Sequence, residues 1–355
     1  MENSLEKEEL KKIIDEIKAN LTDDKNKNHQ YLLEQTEKYT NHFFSREIHK
    51  EIGRLLFDCL SDEKKAELGN LVNKDLESIK NLLEEAEEHI KNKDFIKAKK
   101  MLKDYIEGSV TAHREDELTI YYSFRNVIEF YCFIEKIKSD KRVIWSSFNF
   151  SAAYKLLGYI AIEEKEFNKA IEYLDKAQHY NPVDPTIYFE KSESYKIQKD
   201  FESMLEETNK AYEVIIYPNE LSRYYRQLGY YYIEQKQYKL AYSLYQLSLT
   251  FDKNNMAYHQ LAYIKQQLDD KSYTVKLEES WELFKKENIS IGAKQENISK
   301  LIQFTLDEEV NEKEPKMVEE AKNILFTIIL NREDLSELKK IYTIKNKYPN
   351  DLTDN

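Results

Sequence analysis

Glycine and proline are scarce in this chain, and that scarcity constrains its fold more than any other feature. The 355 residues include only six Gly and five Pro, about 3% together against about 12% in average proteins. Strand-rich folds need these residues at nearly every turn, whereas long helices exclude them. Hydrophobic residues at 41% and aromatic residues at 13% supply enough apolar surface for a packed core. The sequence therefore predicts an ordered, all-α protein.

The charge balance and the start of the chain narrow the classes of partner. The chain carries 54 Lys and Arg against 66 Asp and Glu, a formal net charge of −12, so nonspecific nucleic-acid binding is not expected. No run of about 18 apolar residues predicts a membrane span, and the acidic start does not resemble a secretory signal. Cys59 and Cys132 lie in apolar helical patterns, which is typical of reduced thiols in a core. We expect a cytoplasmic protein without nucleic-acid or membrane partners.

A pair of small residues 12 positions apart recurs along the chain. The pairs are Ala86 with Ala98, Gly158 with Ala170 and Gly229 with Ala241, with looser counterparts at Ser192 with Met204 and Ala262 with Thr274. Two antiparallel helices approach most closely at one point, where small residues let the backbones meet. Positions 158, 192, 229 and 262 are 34, 37 and 33 residues apart. This spacing predicts a series of helical hairpins of nearly constant length.

The residues around these pairs resemble the tetratricopeptide (TPR) repeat. Asn181-Pro182 is expected to end one helix, and Asp184 followed by Pro185 to begin the next. The repeat departs from the family pattern at Lys191-Ser192, which replaces the expected Leu-Gly. The resemblance implies a right-handed superhelical array of antiparallel helix pairs, a TPR solenoid, with helical extensions at both termini. The matching positions are Leu157, Gly158, Ala170, Ala177, Pro182, Leu228, Gly229 and Ala241.

The repeat pattern predicts three domains. They are an N-terminal helical bundle or cap at 1–78, a TPR-like array at 79–290 and a C-terminal helical cap at 291–355. The array is clearest at 150–252 and degenerate at 109–150, where we expect a long helix near Glu117–Lys138. The fourth N-terminal helix is expected to end near Val72. The C-terminal helices are expected at Asn297–Glu309, Pro315–Asn331 and Asp334–Tyr348.

No motif predicts a catalytic, cofactor or metal site. Six isolated glycines cannot form a phosphate-binding loop, and the seven His and two Cys do not fall in metal-ligand spacings. Acidic runs such as 84–88 alternate with Lys at helical spacing, which is typical of a solvated helix face. We therefore predict a non-enzymatic protein that uses no cofactor and no metal.

The resemblance to TPR proteins also assigns a candidate peptide-binding face, because the first helix of each pair lines a concave groove in such arrays. Tyr and Arg are enriched at binding hot spots, since they combine contact area with a polar group. Lys155, Arg223 and Arg226 are expected to present positive charge to a peptide carboxylate or an acidic motif. The candidate groove residues are Lys155, Tyr159, Ile162, Phe189, Glu193, Lys196, Arg223, Arg226, Tyr230, Glu234, His259 and Tyr263.

Three functions are compatible with such an array. The leading hypothesis is a module that binds a protein or peptide segment in its groove. The carboxylate clamp of chaperone-tail TPR domains is not matched, because Tyr159, Glu190 and Gln227 stand at three of its positions. The alternative is a peptide-sensing signalling regulator, similar to bacterial pheromone receptors, with the N-terminal helices as the output module. The third is homo-oligomerisation through the N-terminal helices or the C-terminal cap.

Overall fold

The computed structural model describes residues 2–110, 115–137 and 139–330, and most of these residues are helical. Contacts divide the chain into two compact units. The first unit comprises Met1–Ser123 and Ser139–Asn149, and the second comprises Phe124–Lys138 and Phe150–Asn355. These boundaries differ from the predicted ones at residues 78 and 290. The clearest predicted hairpins all lie in the second unit.

The first unit begins with a helical bundle whose apolar residues recur at helical spacing. Leu10, Ile14 and Ile17 form one face of the first helix and share a buried cluster with Leu32 and Ile48, as expected for amphipathic helices. The fourth helix is longer than predicted, since it continues past Val72 and 78. The elements are α1 (Glu2–Ala19), α2 (Lys25–Lys38), α3 (Ser45–Cys59), α4 (Asp62–Lys91), α5 (Phe95–Val110), β1 (Thr119–Tyr122) and β2 (Arg142–Trp145).

Two short strands occupy the region where a degenerate repeat was predicted. β1 and β2 pair in parallel, with Thr119 opposite Arg142 and Tyr122 opposite Trp145. The prediction of a long helix near Glu117–Lys138 is therefore wrong. β-Branched and aromatic residues in both segments favour strands over helix, and backbone pairing outweighs the helical spacing of the apolar residues.

One buried carboxylate connects three elements of the first unit. Glu51 on α3 is almost fully buried and forms ion pairs of 3.0 Å with Lys18, Arg54 and Arg142. Burial by itself raises the pKa of Glu51, but hydrogen bonds from Arg54 and Lys18 and the charge of Arg142 lower it to about 2. Glu51 thus links α3 to α1 through Lys18 and to β2 through Arg142.

The second unit is a series of helical hairpins followed by further helices. Neighbouring helices pack in pairs, α7 with α8, α9 with α10 and α11 with α12, so the prediction of a TPR-like helical solenoid is confirmed. The helices are α6 (Val127–Phe133), α7 (Phe150–Glu163), α8 (Phe167–Tyr180), α9 (Pro185–Gln198), α10 (Phe201–Tyr212), α11 (Pro218–Glu234), α12 (Tyr238–Phe251), α13 (Asn255–Gln267), α14 (Leu277–Lys286), α15 (Gln295–Leu306), α16 (Glu308–Lys313) and α17 (Pro315–Leu330), with a 3₁₀ turn at Ile134–Lys136.

The helix crossings lie where the small-residue pairs predict them. A Cβ atom at Gly158 would lie 2.7 Å from Leu174 Cγ, and one at Gly229 would lie 2.8 Å from a ring carbon of Tyr245, so neither position accommodates a side chain. At the equivalent position of the middle hairpin, Ser192 bonds across the crossing to Thr208 at 2.9 Å. The departure from Leu-Gly is therefore explained, since the serine hydroxyl contributes a buried hydrogen bond at the same contact.

The turns inside the hairpins share a feature that the sequence analysis missed. Each contains a left-handed Lys, at Lys93, Lys165, Lys199 and Lys236, with φ between 57° and 63°. Paired backbone bonds close these turns; in the middle hairpin, Lys199 N and Asp200 N donate to Lys196 O and Tyr195 O at 3.0 Å, which is a Schellman motif. In sequence the motif reads Lys-Asp-Phe, Lys-Glu-Phe, Lys-Asp-Phe and Lys-Gln-Tyr, and its period marks the repeats as clearly as the small-residue pairs.

The fourth predicted hairpin does not form. Ala262 is exposed on α13, and Thr274 lies outside any helix, so the Ala262–Thr274 pair is not a helix crossing. α13 instead packs on α12, with Ala257 and Ile264 joining Ile233 and Ala241 in one buried cluster. The next helix, α14, begins only at Leu277.

The C-terminal helices are anchored to the array by buried polar groups. Tyr225 on α11 accepts a bond from Gly292 N at 2.7 Å and donates to Ser290 O at 3.0 Å. Asn297 on α15 donates to the carbonyls of Glu213 and Ile215. α15 and α17 agree with two of the predicted C-terminal helices within a few residues, and the third, at Asp334–Tyr348, lies outside the described residues. Across the described ranges, no helix has both the length and the apolar content needed to span a bilayer.

Candidate functional site

The candidate site is the first-helix face, which we define as the residues projecting from α7, α9 and α11 next to their crossing positions, together with Tyr263 and its neighbours on α13. The residues directly after the three crossing positions are Tyr159, Glu193 and Tyr230, and Tyr263 follows Tyr230 after 33 residues. Tyr159 is 37% exposed and Tyr263 is 41% exposed, and Tyr230 is half-buried. One residue beyond the crossing, a helix has turned by about 100°, which directs these side chains away from the second helix. Two tyrosines therefore occupy equivalent positions of the hairpins, and Tyr263 continues their sequence spacing on α13.

Two of these tyrosines have a glutamate one helical turn further on. Glu163 follows Tyr159 on α7, and Glu234 follows Tyr230 on α11, at the i,i+4 spacing that brings side chains together. Burial and the charge of Glu163 raise the pKa of Tyr159. Burial and the charge of Glu234 raise the pKa of Tyr230 to about 12. Both phenols are therefore neutral hydrogen-bond donors at physiological pH.

The predicted cations of the face are already paired within the protein. Lys155 lies 3.1 Å from Asp184 and Arg223 lies 3.0 Å from Glu190. Arg226 lies 3.8 Å from Asp252, and burial lowers its pKa. Lys196 pairs with Glu193 and also lies 5.1 Å from the ring centre of Tyr230. Each of Lys155, Arg223 and Arg226 therefore has its charge partly neutralised by a carboxylate of the same chain. This does not support the expectation that they present positive charge to a ligand.

Two candidate groove residues are not on the surface at all. Ile162 is 6% exposed and belongs to the apolar cluster with Leu174 and Ile187. Phe189 is fully buried, and the guanidinium of Arg223 lies 5.0 Å from its ring centre. Their assignment to the groove is corrected here. At both positions the apolar side chain packs between successive helix pairs. Removing such a side chain from water stabilises the folded protein.

On α7, α9 and α11, the accessible part of the face lies toward the C-terminal ends of the helices. Glu234, His259 and Tyr263 are exposed, and Glu193 and Lys196 are half-buried. Ile197, at the α9 position equivalent to Glu163 and Glu234, is 50% exposed. Nearer the N-terminal ends of α7, α9 and α11, the candidate groove residues are buried or ion-paired, whereas His259 near the start of α13 is exposed. The exposed portion therefore consists of tyrosines, one aliphatic side chain, glutamates and His259.

A buried ionic cluster lies at the N-terminal ends of α9 and α11, and sequence reasoning missed it. Arg125, just before α6, donates to Glu129 and to Glu220, the latter at 2.5 Å, and lies 3.5 Å from Asp184. Asn181 donates to Glu129 at 2.6 Å. Glu129 is 0% exposed, Asp184 2% and Glu220 4%. We call these residues the Arg125 cluster.

The electrostatics of the Arg125 cluster follow from burial and from the cations that remain. Burial raises the pKa of Glu129 and of Glu220, and Arg125 only partly offsets this. Asp184 has a lowered pKa, because Lys155, Arg125 and Thr186 outweigh its burial. Asp184 also caps α9 by accepting from Thr186 N at 2.9 Å, as predicted. One signal of the Arg125 cluster was available in the sequence. Asn126 and Glu129 have the spacing of a capping box, which predicts the start of a helix at this point.

The hairpins in series, their left-handed turns and the exposed first-helix face define a TPR-like helical-repeat protein. No family model matches the chain, and no curated protein matches it. Among solved structures, the chain is similar to one described as "Functional Characterization of Pseudomonas Aeruginosa pilF", with 15% identity and a TM-score of 0.40. That match covers 77% of this chain and 95% of the other.

Proposed function

We propose that this protein is a protein-interaction scaffold that binds a peptide or protein segment on its first-helix face. The observation that carries the proposal is the exposure of Tyr159 on α7 and Tyr263 on α13, with Tyr230 on α11 between them in sequence. Tyrosine buries a large area on binding and loses little side-chain entropy. A row of such residues is a surface that a partner chain can cover one repeat at a time.

The rigidity of the supporting helices favours the same function. The three hairpins are held by close crossings at Gly158, Ser192 and Gly229, so the spacing of the tyrosines is set before any partner arrives. A preorganised surface binds more tightly, because fewer side chains and loops are ordered on association. The face is therefore suited to recognising an extended segment.

Site-directed photocrosslinking in living cells tests this proposal. A photoreactive phenylalanine analogue replaces Tyr159 or Tyr263, and the matched control carries it at Glu172, an exposed residue of the second helix α8. We expect discrete adducts with a protein partner from positions 159 and 263 and none from position 172. Adducts of equal yield and identity from all three positions, or from position 172 alone, would contradict the proposal.

A further inference from the structure

The charges of the first-helix face do not cancel. Its four cations each have a carboxylate partner, in the pairs Lys155 with Asp184, Lys196 with Glu193, Arg223 with Glu190 and Arg226 with Asp252. Glu163 and Glu234 are exposed, and within the described ranges neither forms an ion pair with a Lys, Arg or His. The unneutralised charge of the face is therefore negative.

The ends of the helices strengthen this negative charge. Glu163 is the last residue of α7 and Glu234 is the last residue of α11, where the helix macrodipole contributes about half a negative charge. The nearest lysines in sequence, Lys165 and Lys236, are held in left-handed turn conformations and form no ion pair with these glutamates. Each glutamate also lies one helical turn from a tyrosine ring, and such a ring attracts cations to its face.

Between the two glutamates, the equivalent position of α9 is apolar. Ile197 is 50% exposed and, like Glu163 and Glu234, lies five residues after the crossing position of its helix. The face thus presents acid, apolar and acid positions on three successive first helices. Packed helices are separated by about 10 Å, which an extended chain covers in about three residues.

We infer that the partner of the first-helix face is a basic peptide segment in which two Arg or Lys residues flank an apolar residue, about three positions away on each side. Its cations contact Glu163 with Tyr159 and Glu234 with Tyr230, while its apolar side chain covers Ile197. This inference rests on the proposed function and specifies the chemistry of the partner. It replaces the acidic ligand expected from the sequence, because the cations that would recognise such a ligand are already paired.

Fluorescence anisotropy with synthetic peptides tests the inference on the full-length chain. The probe is a fluorescein-labelled peptide with the central sequence Arg-Ser-Ser-Leu-Ser-Ser-Arg, measured at about 0.15 M salt so that long-range attraction is screened. The comparison peptide replaces both Arg residues by Glu. We expect saturable binding of the arginine peptide only, weakened about tenfold by the double substitution E163Q/E234Q.

A matched variant separates the face from the net charge of the protein. E202Q/E278Q removes the same charge from two exposed glutamates on α10 and α14, and we expect its affinity to stay within about twofold of the wild type. Equal losses in both double variants, equal binding of the glutamate peptide, or no saturable binding of the arginine peptide would overturn the inference. Partner adducts at positions 159 and 263 would still support the proposed function in those cases, so the two failures are distinguishable.

Discussion

Replacing Arg125 by Met should destabilise the second unit strongly, and by an amount that depends on pH. The substitution keeps most of the apolar stem but removes the only cation that contacts both Glu129 and Glu220 within the described residues. Both carboxylates are almost fully buried. Removing one partner of a buried ion pair typically costs about 3–5 kcal/mol, because the remaining charge is left uncompensated.

The sign of the pH dependence follows from the two glutamates. Their pKa values are already raised in the folded protein, and loss of Arg125 raises them further. A carboxyl group whose folded pKa lies above its unfolded value stabilises the folded state fully below the unfolded pKa, and this stability is lost as the pH rises through the folded pKa. The cost of Arg125→Met should therefore grow between about pH 5 and pH 8, by up to about 1.4 kcal/mol per pH unit for each titrating group.

Urea unfolding followed by circular dichroism at pH 5 and pH 8 measures this cost, and hydrogen exchange in α9 and α11 shows where it acts. Arg223→Met is the matched control, because the ion pair of Arg223 with Glu190 is partly exposed and should contribute less than about 1 kcal/mol. In a variant that also carries Glu220→Gln, part of the lost stability should return at pH 8. A loss of the same size at both pH values would refute the electrostatic account of the Arg125 cluster.

Two further predictions concern the helix crossings and the turns. Gly158→Leu should cost about 3 kcal/mol, because a Cβ atom already lies 2.7 Å from Leu174 Cγ. The control Gly53→Leu, where no atom lies within 4 Å of the new Cβ, should melt at or slightly above the wild-type temperature; equal melting shifts would show that the assigned crossing is incorrect. Lys199→Gly should stabilise the protein by about 0.5–1 kcal/mol, because the φ of 62° at Lys199 is unfavourable for lysine but not for glycine. The same change at Lys176 within α8 should destabilise by about 1 kcal/mol, and urea midpoints that move in the same direction for both variants would contradict the turn assignment.

Local patterns predicted much of the array. The Gly158 and Gly229 positions, the end of one helix at Asn181-Pro182 and the start of the next at Asp184 depend on neighbouring residues, and the structure confirms them. Helix pairs are readable from sequence because the residues that contact at a crossing recur at one spacing. The predicted domain boundaries at 78 and 290 stay a prediction, because compact units are defined by contacts between distant segments.

The site was only partly predictable for the same reason. The resemblance to TPR repeats predicted Tyr159, Tyr230 and Tyr263 on one face, but it could not show that Phe189 and Ile162 pack between helices. It also could not show that Arg223 and Lys155 have internal partners, because those partners, Glu190 and Asp184, come from neighbouring helices.

By itself, the sequence determined that this chain forms helical hairpins of nearly constant length. The scarcity of glycine and proline favours helices along the whole chain, and the small-residue pairs and turn motifs act between residues that are close in sequence. Only the tertiary structure decided the sign of the charge on the first-helix face and the place of Arg125 beside three buried carboxylates. Both depend on ion pairs that include residues far apart in the chain, such as Arg125 with Glu220 and Arg223 with Glu190. The energy of such a pair is set by distance and burial in the folded protein, which no local pattern encodes.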